Sequence, residues 1–461
     1  MGPDNLGERD DNGSVRTKIA PRLLAGVALW AGLTACSAAV DPAPETRTSW
    51  SGSDDVVAPP SIPGPPLAIS WDDFRRGHPG VPTLTRLDPQ TLETDRGPRM
   101  PVAGSLRSAP SPDGSELLLT SGRHEVSVID PRRMSLLRTV ELPAGFRSAE
   151  LSWIEDRVAI ATTTARGAAT FLRFDPTTGE VLGRRRLEGD VFEVVQAREG
   201  VVVLAARNGP PWPEQPGPVT IGAMHASGEL VSRTIEDVRA GFFLPDEDDP
   251  GGGSRLEPGL AVRGSVATVV GVDGTIVAVD LTDMTVTEEG RDGSFFAAVG
   301  RWFAPPAEAK SLDATSLDAA WVSSDALVVA GSRTDAPSGE GRNLEESKEP
   351  AGAVLVDATD GSRRTLDPDA TIATPAGDLV LASQDYVPGQ ERGESIGLRA
   401  YDVSGELVWE AFEGAAVWEP VVSGRYAIVT FGWDEMRVRV VDLATGEVLG
   451  SRPSPLIILP W

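Results

Sequence analysis

The side chains of this sequence that could do chemistry are few, and the first is a single thiol. Cys36 is the only cysteine among 461 residues. A thiol can be a nucleophile or a metal ligand, but this one follows a 13-residue apolar run, Leu23 to Ala35, with basic residues before it. A run of that length is too short to span a bilayer, which takes about 20 helical residues. The order of basic, apolar and small residues therefore predicts a secretory signal rather than a membrane span or a buried core cysteine.

This segment resembles the signal of bacterial lipoproteins. The resemblance implies that the Cys36 thiol is acylated, that the chain is cut before it, and that two or more acyl chains hold it in the cell membrane. We expect a cleaved signal at 1–35, an acylated, flexible tether rich in Ser and Pro at 36–67, and a single folded domain at 68–461 on the extracytoplasmic side. Lipid on Cys36 leaves no thiol for disulfides, zinc sites or catalysis.

A serine in the stretch Gly393-Glu-Ser395-Ile-Gly397 matches the G-x-S-x-G pattern of a hydrolase nucleophile. That pattern works at a strand-turn-helix corner, where a strained turn exposes the hydroxyl. Here it lies in a loop before a predicted strand at Leu398, and no helical pattern follows. We therefore predict no catalytic role for Ser395.

Histidines and acidic runs offer no better site. His78, His124 and His225 are the only histidines, and we expect solvent-exposed rings at His124 and His225 because both fall in predicted turns. The acidic run Asp246 to Asp249 supplies oxygen ligands of the kind that calcium prefers, but its spacing matches no calcium loop. We predict a solvated insertion there, and no catalytic, cofactor or metal site in the chain.

One aromatic side chain is a candidate partner contact. Trp212 lies in a proline-rich stretch, Asn208 to Pro218, whose prolines hold an extended loop. Exposed aromatic side chains on rigid loops often anchor binding partners. The alternative is that the ring packs back on its own domain.

The charge of the chain limits its partners. Asp and Glu total 68 against 42 Lys and Arg, which gives a net charge of −26. A field of that sign repels phosphate backbones and anionic headgroups. We therefore expect no nucleic acid partner and no polybasic docking on the membrane, which leaves the acyl chains as the membrane contact.

A repeated hairpin organises the sequence after the tether. Each copy is a β-branched strand that ends in Asp, a polar turn that often closes in Gly-Glu, and a second strand. The Asp is expected to accept hydrogen bonds from N–H groups of the turn, and the Gly to supply a positive φ. The strand-end residues, with His225 as the equivalent of Asp, are Asp88, Asp130, Asp175, His225, Asp280, Asp357, Asp402 and Asp442.

The spacing of these copies predicts an all-β propeller of four-stranded antiparallel blades. The intervals are 42, 45, 50, 55, 77, 45 and 40 residues, and propeller blades repeat at roughly 40 to 50 residues. Loop insertions are expected near 208–218, 245–254 and 334–350, and the last accounts for much of the longest interval. Eight hairpins favour eight blades over seven, with the tail Pro455 to Pro460 completing the first blade.

The hairpins resemble those of quinoprotein-like and YVTN-type β-propellers, most closely at Tyr401-Asp-Val-Ser-Gly-Glu-Leu-Val-Trp409. This resemblance implies the fold and leaves the function open, because propellers host many activities. The vicinal cysteine pair of alcohol-oxidising quinoproteins is absent, which argues against quinone chemistry.

We expect a monomeric, lipid-anchored module that binds a protein, peptide or glycan. One alternative is a propeller enzyme, either a hydrolase or lyase with a carboxylate-lined central channel or a degenerate quinoprotein. Another is an envelope assembly factor. Three or more carboxylates converging at the channel mouth would favour the enzyme, and an apolar patch around Trp212 would favour binding.

Overall fold

A computed structural model of the chain describes residues 66–72, 81–100, 107–120, 124–146, 149–164, 167–206, 216–243, 254–287, 315–334, 348–357, 362–384, 395–431, 437–453 and 456–459. All of them belong to one compact unit, Thr48–Trp461. Over these residues the chain forms 33 β-strands, and none of it is a helix with the length and hydropathy to cross a bilayer. Cys36, His78, Trp212 and the run 246–249 lie outside the described residues.

The strands form eight antiparallel sheets, one for each predicted hairpin, and the sheets are the blades of a β-propeller. Blade 1 begins with β1 (Leu67–Asp72), β2 (Val81–Leu87) and β3 (Thr94–Arg99). Blades 2 and 3 contain β4 (Ser108–Pro110), β5 (Leu117–Thr120), β6 (Glu125–Asp130), β7 (Ser135–Glu141), β8 (Glu150–Glu155), β9 (Val158–Thr164), β10 (Ala168–Phe174) and β11 (Val181–Glu188). Blade 4 contains β12 (Asp190–Ala197), β13 (Gly200–Ala206), β14 (Gly217–His225) and β15 (Leu230–Phe243), whose far end pairs with β16 (Ser254–Leu256).

The remaining blades repeat the four-stranded order, which confirms the eight-bladed prediction over the seven-bladed alternative. Blades 5 and 6 contain β17 (Gly259–Arg263), β18 (Val266–Val270), β19 (Ile276–Asp280), β20 (Val286–Thr287), β21 (Ser316–Trp321), β22 (Ala326–Thr334), β23 (Lys348–Asp357) and β24 (Arg363–Asp367). Blades 7 and 8 contain β25 (Ile372–Ala376), β26 (Leu379–Ser383), β27 (Leu398–Asp402), β28 (Leu407–Ala411), β29 (Val421–Ser423), β30 (Tyr426–Phe431), β31 (Arg437–Asp442) and β32 (Val448–Pro453).

The last strand, β33 (Leu456–Ile458), returns to blade 1 and pairs with β1. It takes the first position in that sheet, the position that β4 and β8 hold in blades 2 and 3. The predicted completion of blade 1 by the C-terminal tail is thereby confirmed. Because the first and last segments of the chain share one sheet, the ring of blades is closed.

Apolar contacts between neighbouring blades make up the core. The buried apolar side chains fall into eight clusters, and each cluster joins two adjacent blades. The cluster between blades 8 and 1 includes Leu87, Leu92 and Val438. Burial is greatest in the middle strands: in blade 4 the innermost strand β12 is mostly half-buried and β13 is buried throughout, whereas the outer strand β11 of blade 3 is mostly exposed. Middle strands read as continuous apolar runs because both of their faces are covered.

Side chains at the end of the third strand hold the hairpin turns as predicted. Asp88 Oδ1 accepts hydrogen bonds from the backbone N–H groups of Gln90 at 2.8 Å and Thr91 at 3.0 Å. His225 does the same through Nδ1, which accepts from the Ser227 N–H at 3.0 Å. Its side chain is only 13% exposed. The prediction of a solvent-exposed His225 ring is therefore wrong, because the ring replaces Asp inside the turn.

A residue with positive φ closes the turns, and a side chain from the preceding blade packs against it. Gly446 (φ 71°) lies so close to the Trp409 ring that a Cβ atom there would be 2.8 Å from the ring. Leu92 (φ 56°) is the converse: the turn supplies the large side chain, and the preceding blade supplies Gly450. At both interfaces one large side chain fills the space between the blades. Trp409 comes from the preceding blade, and Leu92 comes from the turn itself.

Donors from one blade also reach the turn of the next. These hydrogen bonds satisfy turn carbonyl groups that would otherwise need water, and they link four of the eight pairs of neighbouring blades outside the apolar core. They run from Arg86 to the carbonyls of Pro131 and Arg132 (both 2.7 Å), from Arg138 to Pro176 (2.9 Å), from Trp409 Nε1 to Leu443 (2.8 Å) and from Arg452 to Leu92 (3.0 Å).

The two faces of the ring differ in the length of their connections. Connections from first to second and from third to fourth strands share one face, which we call the short-turn face, and between the described strands they have two to six residues. The opposite, long-connection face carries every connection of eight or more residues between described strands, nine in all. Both ends of the propeller meet at the short-turn face, where the Leu459 N–H donates to the Leu67 carbonyl at 3.0 Å.

Replacing Gly446 by Ala is expected to loosen the interface between blades 7 and 8. An Ala at positive φ costs about 1 kcal/mol of stability, and its Cβ atom would also displace the Trp409 ring. Gly424→Ala is the matched control, because Gly424 also has a positive φ (56°) but nothing within 4 Å of the Cβ position. We expect G446A to lower the thermal unfolding midpoint at least twice as much as G424A. Equal losses would show that Trp409 does not pack on the turn.

Candidate functional site

Four carboxylates on or beside the innermost strands come together near the centre of the ring. Glu193 lies on β12 and Asp318 on β21, while Glu257 and Glu419 come two residues before β17 and β29. The charge of Asp318 acts on both Glu193 and Glu419, which lie two blades away in opposite directions. Only the central channel brings those blades within electrostatic reach. We call these four residues the inner carboxylates.

Two of the inner carboxylates also link neighbouring blades. Glu193 Oε2 accepts a hydrogen bond from the Leu260 N–H at 2.7 Å, which connects blade 4 to the inner strand of blade 5. Glu257 Oε2 accepts one from the Ser316 hydroxyl at 3.0 Å, and the same two residues form a short parallel backbone bridge between blades 5 and 6. These contacts hold the acidic side chains at fixed positions on the inner strands.

The surroundings of Glu193 favour its protonated form. Burial, and secondly the charges of Asp318 and Glu257, raise the pKa of Glu193 to about 8, although the Leu260 N–H hydrogen bond opposes the shift. Burial and then the charge of Asp318 also raise the pKa of Glu419, whose side chain keeps exposed surface in the channel. Like charges that share a site retain a proton between them. The channel therefore holds a proton at neutral pH.

This arrangement has two chemical uses. Ionised carboxylates attract cationic groups, and a protonated carboxyl group beside ionised ones can act as a proton donor. Within the described ranges, no group of three or more His, Cys, Asp or Glu side chains is arranged to hold a metal ion. At the inner strands of blades 2 and 3, Arg107, directly before β4, forms an ion pair with Glu150, the first residue of β8.

Ser395 and His124 do not join this cluster. The Ser395 hydroxyl is buried and makes no hydrogen bond within the part of the chain that the structure describes, so no base contacts it. It precedes β27 rather than a helix. The His124 ring is half-buried, with Nδ1 inside and without a hydrogen bond. The predicted solvent exposure of His124 is therefore wrong, because the residue directly precedes β6 and its Nδ1 atom is buried.

A second charged cluster joins blades 6 and 7. Asp367, fully buried at the end of β24, accepts hydrogen bonds from Arg399 and from the Tyr401 hydroxyl, both at 2.9 Å. Burial, and then the hydrogen bond and charge of Asp367, raise the pKa of Tyr401 to about 12, so the phenol stays a donor. A buried carboxylate with a paired cation and a second donor is a structural contact between blades.

Sequence reasoning missed the inner carboxylates because no short motif contains them. Glu193, Glu257 and Asp318 are 64 and 61 residues apart in sequence, and only the ring brings them together. The sequence feature that could have identified the inner carboxylates is their position relative to the first strands. Each lies at or just before the first strand of its blade, so aligning the blades on their first strands rather than their hairpins would have found them.

Glu193 is expected to make the protein less stable as pH rises. Its pKa in the folded protein, about 8, exceeds the 4.5 of an unperturbed Glu. Between those values the folded state keeps a proton that the unfolded state has lost, so stability decreases from about pH 5 to about pH 8. Glu193→Gln removes this dependence. The thermal midpoint of the variant minus that of the unsubstituted protein should therefore increase by several degrees between pH 5 and pH 9. Glu413→Gln, at an exposed position, should show a flat difference, and a flat difference for E193Q would contradict the account.

Comparison with known proteins agrees with the fold. A dihydro-heme d1 dehydrogenase, NirN, solved in complex with DHE, has a TM-score of 0.50 at 12% identity, over 85% of this chain and 76% of that chain. The computationally designed Ika8 protein (TM-score 0.49, 14% identity, 76% and 88% covered) and BamB from Moraxella catarrhalis (0.43, 12%, 82% and 94%) are further similar structures.

At such low identity these similarities concern the fold alone. No family model and no curated protein sequence matches the chain.

Proposed function

We propose that this protein is a membrane-anchored, extracytoplasmic lipoprotein whose β-propeller binds a protein, peptide or glycan. The observation that carries the proposal is the position of the chain ends. The chain enters β1 at Leu67, beside the Asp88 turn and the end of β33, on the short-turn face. A tether from an acylated Cys36 therefore attaches to that face. The long-connection face is left free on the opposite side.

The charges of the free face indicate the ligand. The first strands begin at the long-connection face, so the inner carboxylates lie toward that end of the channel. Together with a net charge of −26, they favour neutral or cationic groups over anionic ones. Trp212, which lies between β13 and β14 in sequence and outside the described residues, is included in the proposal as a partner contact.

The anchor is tested by mass spectrometry of the N-terminal peptide of the mature protein, produced in a bacterial host. We expect the chain to begin at Cys36 and to carry acyl chains. Cys36→Ala should give an uncleaved precursor without lipid. An N-terminus elsewhere, or an unmodified Cys36 thiol in the mature chain, would contradict the anchor.

The binding face is tested by photo-crosslinking in the native membrane. A photoreactive residue at Glu413, in the connection between blades 7 and 8 on the long-connection face, should give discrete crosslinked products. The same residue at Ser404, exposed in a turn of the short-turn face, is the control and should give fewer. Crosslinks from Ser404 alone would reverse the assignment of the faces.

The convergence of four inner carboxylates, which is the feature expected of an enzyme, and the raised pKa of Glu193 favour one second candidate, a proton-transfer enzyme with Glu193 as the acid beside Asp318. It ranks below binding because Glu193 is already hydrogen-bonded to the Leu260 N–H. Turnover of a substrate that Asp318→Asn abolishes, without a change in thermal midpoint, would favour the enzyme.

A further inference from the structure

The charge of the protein is divided unevenly around the ring. Residues 66–189, which span blades 1 to 3, contain 17 Arg and Lys against 16 Asp and Glu, a net charge of +1. Residues 190–461, from blade 4 to the end of the chain, contain 20 Arg and Lys against 44 Asp and Glu, a net charge of −24. Among the residues that the structure describes, the first range has 12 Arg against 15 Asp and Glu, and the second has 14 Arg and Lys against 24 Asp and Glu, so blades 4 to 8 are the more acidic part of the propeller.

Blades 2 and 3, in the less acidic part, expose apolar side chains on their outer strands. On β7 of blade 2, Leu136 is 42% and Leu137 43% exposed, and on β11 of blade 3, Val181 is 48% and Leu182 39% exposed. Five exposed arginines surround them: Arg132, Arg133, Arg184, Arg185 and Arg186. We call these nine residues the arginine-leucine edge.

Blades 2 and 3 contact each other beside this edge. Arg138 of β7 donates to the Pro176 carbonyl in the turn before β11 at 2.9 Å. In the same turn a Cβ atom on Gly179 would lie 3.2 Å from the Val140 side chain of β7. The outer strands that carry the apolar residues therefore belong to two blades in direct contact.

The arginines of the edge are accessible to a partner. Arg186 pairs with Glu188 at 3.0 Å and Arg133 with Asp130 at 3.7 Å, and both arginines remain largely exposed. The Arg184 guanidinium lies 5.4 Å from the centre of the Phe146 ring. Exposed ion pairs of this kind contribute little to stability, so exchanging the carboxylate for another anion costs little.

Similar apolar pairs on blades 7 and 8 lack the run of exposed arginines, whereas exposed glutamates, such as Glu180 before Val181, flank the apolar residues of blades 2 and 3 as well. Leu407 and Val408 are 49% exposed and lie between Glu406 and Glu410, and Val448 follows Glu447. Exposed apolar side chains alone are thus a property of the repeat. Their combination with arginine distinguishes blades 2 and 3.

We propose that the arginine-leucine edge docks on an anionic lipid bilayer. Leucine and valine side chains enter the interface between headgroups and acyl chains, and the arginines bind headgroup phosphates. Blade 2 lies next to blade 1, where the tether leaves the propeller, and the acidic blades then face away from the membrane. This inference rests on the proposed anchor at Cys36. It replaces the expectation, drawn from the net charge of −26, that the folded domain avoids anionic headgroups.

The test measures how close the edge lies to the membrane in the lipidated protein. Thr178 is exposed in the turn before β11 and is replaced by cysteine. Because Cys36 is acylated in the lipidated protein, the new cysteine is the only free thiol and is labelled with a fluorophore. Vesicles contain a headgroup-linked nitroxide quencher and either phosphatidylcholine alone or phosphatidylcholine with phosphatidylglycerol. We expect strong quenching with phosphatidylglycerol, weak quenching without it, and weak quenching from a control probe at Ser404 on blade 7 in both.

Substitutions separate charge from structure. Arg184→Ser, Arg185→Ser and Arg186→Ser together should weaken docking on the order of 100-fold and abolish the quenching at residue 178, because each arginine near an anionic surface contributes. The matched control is Arg233→Ser with Arg239→Ser on the outer strand of blade 4, where both side chains are exposed, and it should leave quenching unchanged.

Two outcomes are distinguished by design. Flotation with phosphatidylcholine vesicles reports the acyl anchor alone, so its failure contradicts the proposed function rather than the docking edge. If the protein floats but residue 178 is not quenched on anionic vesicles, or is quenched equally without phosphatidylglycerol, the docking proposal is overturned. An acidic protein partner would then be the occupant of the edge.

Discussion

The pairing of β33 with β1 is the constraint on which the rest of the structure depends. Every blade buries apolar side chains on both faces, so every blade needs two neighbours, and the cluster between blades 8 and 1 forms only when the last strand returns to the first sheet. That return also places Leu459 beside Leu67, so both ends of the propeller lie at the same face. The proposed division into an anchored and a free face rests on this closure of the ring.

Contacts between blades keep the closed ring rigid enough to hold like charges together. Large side chains fill turn positions from either blade: Trp409 over Gly446, Leu92 over Gly450 and Met134 over Gly97. Arginines and the Trp409 indole then bind turn carbonyls of the next blade. The inner carboxylates repel one another, and packing of the ring opposes that repulsion.

The fold was predictable because it repeats local physics. An Asp or His at a strand end and a residue with positive φ define each hairpin within about six residues, and the apolar tail identified the closing strand. The inner carboxylates were not predictable from motifs, because only the ring brings Glu193 and Asp318 together. The uneven charge was hidden in the sum of −26, since a net charge carries no position. The buried surroundings of His124 and His225 likewise depend on tertiary packing rather than on turn pattern.

Hydrogen exchange of the protein tests the closure of the ring most directly. The amides of Leu456–Ile458 and of their partners on β1 should exchange as slowly as those of the core strand β13, because the ring opens only when the domain unfolds. Fast exchange confined to residues 456–458, with the other blades protected, would contradict closure. The assignment of the tether to the short-turn face would then lose its basis.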